Sequence, residues 1–230
     1  MSNLRQQHLS QFYDLIKRLE SKLELHFLRD CNGRMQWPSR GVYFFFDTSE
    51  IRTNPSTERR IVRIGTHALK RGSKTTLWTR LSQHKGQIKS GGGNHRGSIF
   101  RLLVGDALIR KSSLAFDTWG NGNTAPREIR ESELALEQQV SNYIGNLPFL
   151  WLAIEDASGP ESLRGYIERS SIALVSNFQK HAIDSLSNNW LGHFSSRPRV
   201  RESELWNQNH VDENYDPAFL ATLETLIDKM

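Results

Sequence analysis

The sequence predicts an α/β protein of the α+β type, and three observations carry that reading. Gly41-Val42-Tyr43-Phe44-Phe45-Phe46 is an aromatic and β-branched run of the kind that forms a buried strand. Arg60-Ile61-Val62-Arg63-Ile64-Gly65 reads as a second strand, close enough in the chain for an antiparallel hairpin to be the simplest pairing. Around these runs, apolar residues recur at three- and four-residue spacing, the mark of amphipathic helices. A chain of 230 residues suits one substantial domain, or a core with extensions, and can bury a full hydrophobic core without staples.

The first element is a helix over residues 4–28, with Leu9, Phe12, Tyr13, Ile16, Leu19 and Leu23 on one stripe and Asn32-Gly33 as its stop. The strand at 41–46 follows. Residues 47–58 contain Asn54-Pro55-Ser56 and read as a loop. In the second strand, polar and apolar residues alternate, which predicts one covered face. Thr76 caps a helix running to about Lys89, and Ser90 to Gly97 is a glycine-rich loop. A short helix is expected at 98–110, a Gly/Asn-rich loop at 117–128 and another helix at 131–144. Phe149 to Ile154 is the third strand candidate. Ser158 and Glu161 stand at capping-box spacing and open a helix to about Phe178. A last helix starts with Asp216 as N-cap and Pro217 in its first position.

Composition narrows the function classes. A single cysteine, Cys31, excludes a disulfide framework and a multi-thiolate zinc site, and it predicts a reducing, cytoplasmic location. No run of 18 apolar residues offers a membrane span. The amphipathic N-terminus has no apolar signal core. The net charge of +5 conceals a strong asymmetry. Residues 59–111 hold thirteen Lys and Arg against one acid, Asp106, whereas residues 202–230 hold seven acids and one Lys. A basic middle points to a polyanion, nucleic acid above all. The acidic tail is expected to bind a basic partner, to support a homo-oligomer, or to fold over the basic centre.

Two helices carry ionisable residues against their apolar pattern. At 100° per residue, Leu77, Leu81 and Ile88 share a stripe, and Arg80 and His84 lie four apart at its edge. On the later helix, Glu168 falls inside the arc of Ile167, Ser171, Ile172, Leu174, Val175 and Phe178. A carboxylate there is costly unless it meets a cation, either a structural arginine or a metal ion. Other nuclease patterns fail. Asn94-His95 lacks the downstream His of an HNH site. In a helix Glu20 and Lys22 point about 200° apart, against a PD-(D/E)xK motif.

In this order the elements resemble the GIY-YIG nuclease family. Gly41-Val42-Tyr43 resembles its first motif, and Arg63-Ile64-Gly65 its second. Residues 77–84, with Arg80 and His84, are similar to its catalytic-arginine helix. Residues 166–174, with Glu168, are similar to its metal-binding helix, and Asn177 falls where a late Asn is frequent. The resemblance implies a small antiparallel three-stranded sheet flanked by helices. It divides the chain into an N-terminal helical extension (1–38), a nuclease core (39–180) with an insertion at 90–147, and an acidic C-terminal extension (181–230) packed on the core. Three departures stand out: a longer spacing between the two motifs, Arg63 where a tyrosine is usual, and the large insertion. Restriction-enzyme members are elaborated in a similar way, so restriction, phage defence and mobile-element settings are all expected ones.

The resemblance also implies the chemistry, hydrolysis of DNA phosphodiester bonds with one Mg²⁺, or Mn²⁺ in its place, held chiefly by Glu168 and water. Arg80 would hold the phosphate. Tyr43 would activate water, helped by Arg63 lowering its pKa, with His84 or His67 as alternative proton carriers. Gly41, Gly65 and Asn177 would support the site. Lys85, Lys89, Asn94, His95, Arg96 and Arg101 are the expected DNA contacts. A binding module that keeps the fold without catalysis is the alternative, and loss of Arg80 or Glu168 would be its mark.

Overall fold

The protein is described by a computed structural model for residues 2–53 and 57–230; Asn54-Pro55-Ser56, at the centre of the expected loop, lies outside the described residues. It is α+β. Helix α1 (Ser2–Lys22) leads to a short strand β1 (His26–Phe27), then to the hairpin of β2 (Gly41–Ile51) and β3 (Arg59–Gly65). Helices α2 (Leu77–Lys85), α3 (Ile99–Lys111), α4 (Arg127–Ser132) and α5 (Leu134–Gly145) precede β4 (Pro148–Ala153). Helices α6 (Leu163–Val175), α7 (Pro198–Ser203) and α8 (Phe219–Asp228) complete the order.

The strands form an antiparallel sheet in the order β1-β4-β2-β3. The expected hairpin forms with Tyr43 opposite Gly65 and Phe45 opposite Arg63, and Tyr43 faces Trp151 across β4. The sheet has four strands rather than the expected three: His26 and Phe27, too few to show a period, pair with Phe149 and Pro148 at the edge.

Alternation along β2 builds two cores. Val42, Phe44 and Phe46 face a cluster with Phe12 and Ile16 of α1, Ile167 of α6 and Leu223 of α8. Tyr43 and Phe45 face the other, with Leu77 of α2, Phe100 and Leu103 of α3 and Val140 of α5. Both sides of the sheet are therefore covered, and β3 has its Arg60 and Arg63 buried rather than wet, contrary to the single covered face expected from its alternation. Each fully buried Phe or Leu contributes about 1.5–3 kcal/mol, so the chain's two ends, α1 and α8, are bound into the same core as the sheet.

Helix ends follow their caps. Thr76 Oγ1 accepts from Thr79 N at 3.1 Å, and Gly86, at φ +89°, turns the chain out of α2. The helix therefore ends before Ile88, which is 79% exposed instead of lying on the apolar stripe. At α6 the cap is Ser162, accepting from Gly165 N at 3.1 Å, not Ser158. The last helix starts at Phe219, with Asp216 holding the turn ahead of it through Ala218 N at 3.0 Å.

The tail is folded back on the body. Glu224 pairs with Arg18 at 2.6 Å, and Asp228 meets the same guanidinium. Asp212 pairs with Arg199 at 2.5 Å and Glu213 with Arg169 at 3.5 Å. Ahead of these acids, a strap at 204–210 closes the open edge of β3: Trp206 N donates to Val62 O at 2.7 Å, and the Asn207 amide brackets Ile64, accepting from its N at 3.2 Å and donating to its O at 2.9 Å. Among the described residues no helix is long and apolar enough to cross a membrane.

Candidate active site

A cleft of about 630 Å³ opens where β3, α2, α6 and the strap converge. Arg63, Thr66 and His67 come from β3 and the turn after it, Arg80 from α2, and Glu168 from α6. The strap adds Asn207 to His210 as a further wall.

Beneath the cleft lie Tyr43 and His84, both fully buried. Tyr43 Oη is 2.9 Å from His84 Nε2, and His84 Nδ1 is 2.7 Å from Ser98 Oγ. Burial, reinforced by Arg80 and Arg63, holds His84 well below the usual imidazole range, so its ring is neutral. Gly65 has no room for a side chain, because a Cβ there would overlap the Tyr43 hydroxyl. Gly41 is likewise closed, by the Leu152 carbonyl at 2.5 Å from a built Cβ, and its own carbonyl accepts from Thr66 Oγ1 at 2.8 Å. The two glycines thus let the motif strands meet flush under Thr66.

Glu168 is half-buried. Its Oε1 accepts from Thr66 N at 3.0 Å. It makes no ion pair among the described residues, which removes the structural salt bridge as the reason for its place. Burial pushes its carboxyl above the ordinary value, and the charge of Arg63 pulls against that shift. Its other oxygen has no protein donor among the described residues, and among these no three His, Cys, Asp or Glu come together as a metal-holding group, at this cleft or elsewhere.

Arg80 Nη1 donates to Gln83 Oε1 at 3.0 Å and to the Gly97 carbonyl at 3.4 Å, while its Nε is sealed without an acceptor. His67 is buried, and among the described residues neither ring nitrogen has a partner in good hydrogen-bond geometry, although the Ser39 backbone lies near enough to favour its charged form. Burial, with Arg164 adding to it, pushes His67 down to about 4. Arg164, itself sealed and paired with Asp156, fixes the turn by donating to His67 O at 2.5 Å.

Other expected site residues lie elsewhere. Asn177 is off the cleft; it accepts from Arg5 at 3.0 Å and donates to Glu204 at 2.7 Å, tying α1 to the strap. The expected DNA contacts are largely engaged inside the protein. Arg96 pairs with Glu133 at 2.6 Å with both side chains buried. Arg101 and His95 converge on Glu137, at 2.5 and 3.0 Å, and His95 stacks on Trp119. Lys85 Nζ donates to the carbonyls of Arg29 and Cys31. These cations brace the insertion, because a charge on a helix that faces a neighbouring element must find an acid there. Only Lys89 and Asn94 of that set are exposed. Exposed cations Lys70, Arg71 and Lys74 follow in the turn between β3 and α2, between the cleft-lining Leu69 and Thr75, though none of the three lines the cleft itself. Sequence reading passed over them and over the strap; the run Lys70-Arg71-Gly72-Ser73-Lys74, directly after a motif strand, was the available signal.

The structure thus brings a guanidinium and a lone carboxylate together in one cleft, above a buried tyrosine–histidine pair. The model of the GIY-YIG domain matches residues 3–230, and the chain belongs to the GIY-YIG family of nucleases. No curated protein and no solved structure matches the chain.

Proposed function

We propose that this chain is a metal-dependent endonuclease that hydrolyses phosphodiester bonds in DNA. The observation that carries the reading is Glu168: a half-buried carboxylate in the cleft, without an ion pair among the described residues, facing Arg80 across a site with no other acid. Glu168, with water, would hold one Mg²⁺ or Mn²⁺, which when bound polarises the scissile phosphate and steadies the leaving oxygen. Arg80 neutralises a non-bridging oxygen as charge builds. Tyr43 would take the proton of the attacking water as its own passes to His84 Nε2, 2.9 Å away, which requires the floor of the cleft to open far enough for water to reach the buried Tyr43 Oη. An ordinary tyrosine, with a pKa of about 10, is a poor base; the neutral imidazole supports its use by giving its proton a destination. Burial is the main reason His84 is weakly basic; a bound diester would offset the smaller contribution of Arg80 and Arg63. The exposed Lys70, Arg71 and Lys74 support the approach of a polyanion. The elaborated fold favours a selective setting such as restriction, phage defence or a mobile element.

Incubation with single- and double-stranded DNA and RNA, with Mg²⁺, with Mn²⁺ and with chelator, tests the reading. Metal-dependent internal cleavage of DNA is expected. A folded protein that cleaves no nucleic acid with either metal overturns it, and preference for RNA would correct the substrate.

A further inference from the structure

Arg63 stands where the family usually has a tyrosine, and the structure gives it surroundings a tyrosine does not need. Its side chain crosses the floor of the cleft with its guanidinium carbon 5.5 Å from the centre of the Phe100 ring. Nη1 donates to the Trp206 carbonyl of the strap. Nε is sealed from solvent and has no acceptor. Nη2 has no partner among the described residues either, but it is not sealed, so the free edge of the guanidinium opens to the cleft. Arg63 is 6% exposed and forms no ion pair among the described residues.

Arg80 repeats the pattern on the facing wall: Nη1 held by protein acceptors, Nε sealed and orphaned, Nη2 open. Two uncompensated guanidinium groups in one cleft, each missing an acceptor, are costly in the free protein. A tetrahedral oxyanion in the cleft can accept from the open Nη2 of each, and guanidinium geometry suits it. Glu168 is the one acid among the lining residues, so the two guanidinium groups already outnumber it in the metal-free protein, and an anion is favoured there.

We propose that Arg63 is a second phosphate-binding catalytic residue, held in place by the Trp206 carbonyl, and that it and Arg80 grip the scissile diester from two sides. The role of Arg63 is then direct contact with substrate, not adjustment of Tyr43. Asn207 acts as a positioning residue, because its amide fixes the backbone of Ile64 beside Arg63.

The inference rests on the nuclease reading, and two measurements keep the two apart. In the first, metal-free protein with ¹⁵N-labelled arginine is titrated with the dinucleotide TpT, a single phosphodiester. The Nε resonances of both Arg63 and Arg80 are expected to move together. Movement of Arg80 alone, or of neither, overturns the two-arginine site, whatever the protein cleaves. In the second, single-turnover cleavage is followed for Arg63→Met, Arg63→Lys and Arg63→Ala. Met is expected to lose at least about 100-fold with an unchanged melting temperature. Lys is expected to recover part of that loss, and guanidinium ion added to the Ala variant at least about tenfold of it. Cleavage by Arg63→Met within threefold of the parent overturns the proposal. So does a rate loss that no guanidinium restores and that follows a lowered melting temperature, which would mark Arg63 as structural. If the parent cleaves nothing, the endonuclease reading fails and the dinucleotide titration alone decides the anion site.

Discussion

The hydroxyl of Tyr43 and Nε2 of His84 are 2.9 Å apart, and this bond joins β2 to α2 beneath the cleft. Tyr43→Phe removes the proton path while keeping the ring that fills the core. Single-turnover cleavage should fall by about 10²- to 10⁴-fold, and urea unfolding should show a loss of about 1–3 kcal/mol from the unpaired His84. Cleavage at the parental rate would take the proton transfer away from this pair.

Glu168→Gln separates catalysis from stability. Gln keeps an oxygen for Thr66 N, and no ion pair among the described residues is broken. The folded state holds the Glu168 pKa above its ordinary value, so ionising this carboxyl costs stability as pH rises through that range. The Gln variant should therefore melt at or above the parental temperature at pH 7, while cleavage drops more than about 100-fold. A lower melting temperature would reveal a cationic partner for this carboxylate.

His67 predicts an acid limb in stability. Its folded pKa, about 4, lies below the ordinary value of 6.5. Between those values the unfolded chain binds the extra proton, so stability is complete above about pH 6.5 and declines as pH falls through that window. The full shift corresponds to an upper bound on the order of 3 kcal/mol. His67→Gln should flatten denaturation midpoints between pH 4 and 6.5, and an unchanged slope would assign that limb to other groups.

Two sets of cations should separate binding from folding. Replacing Lys70, Arg71 and Lys74 with Ala together should reduce the slope of log affinity against log salt by about three units and leave the melting temperature alone. Arg96→Met should do the reverse. It strands Glu133 without its buried partner and costs about 3–5 kcal/mol. A variant at Arg96 that folds normally but binds DNA weakly would return that residue to the interface.

Much of this was legible because it is periodic or local. The β2–β3 hairpin, the cap of α2 and the existence of the helix carrying Glu168 follow from apolar strand runs, local capping and helical period, whereas the cap of that helix, Ser162, does not. The four residues that share the cleft from three elements, Arg63, His67, Arg80 and Glu168, are named by motif order. What could not be read is what depends on distant partners. Arg96, Arg101 and His95 look like solvent-facing cations until Glu133 and Glu137, over 30 residues on, are placed against them. Trp206 and Asn207 show no periodicity, because an isolated strap on a strand edge leaves none. The strand His26–Phe27 is too short to alternate.

The contacts that finish the cleft span 143 residues, from Arg63 and Ile64 to Trp206 and Asn207. A ribosome makes the chain from the other end. When residue 200 has just emerged, β2, β3 and α2 are already outside the tunnel, but Arg63 has no carbonyl to rest on and the edge of β3 is bare. The cleft is complete only after the strap has been synthesised and has docked. A growing chain thus exposes Tyr43, Arg80 and Glu168 before the last wall exists, and the order of synthesis itself delays the assembly of the cleft.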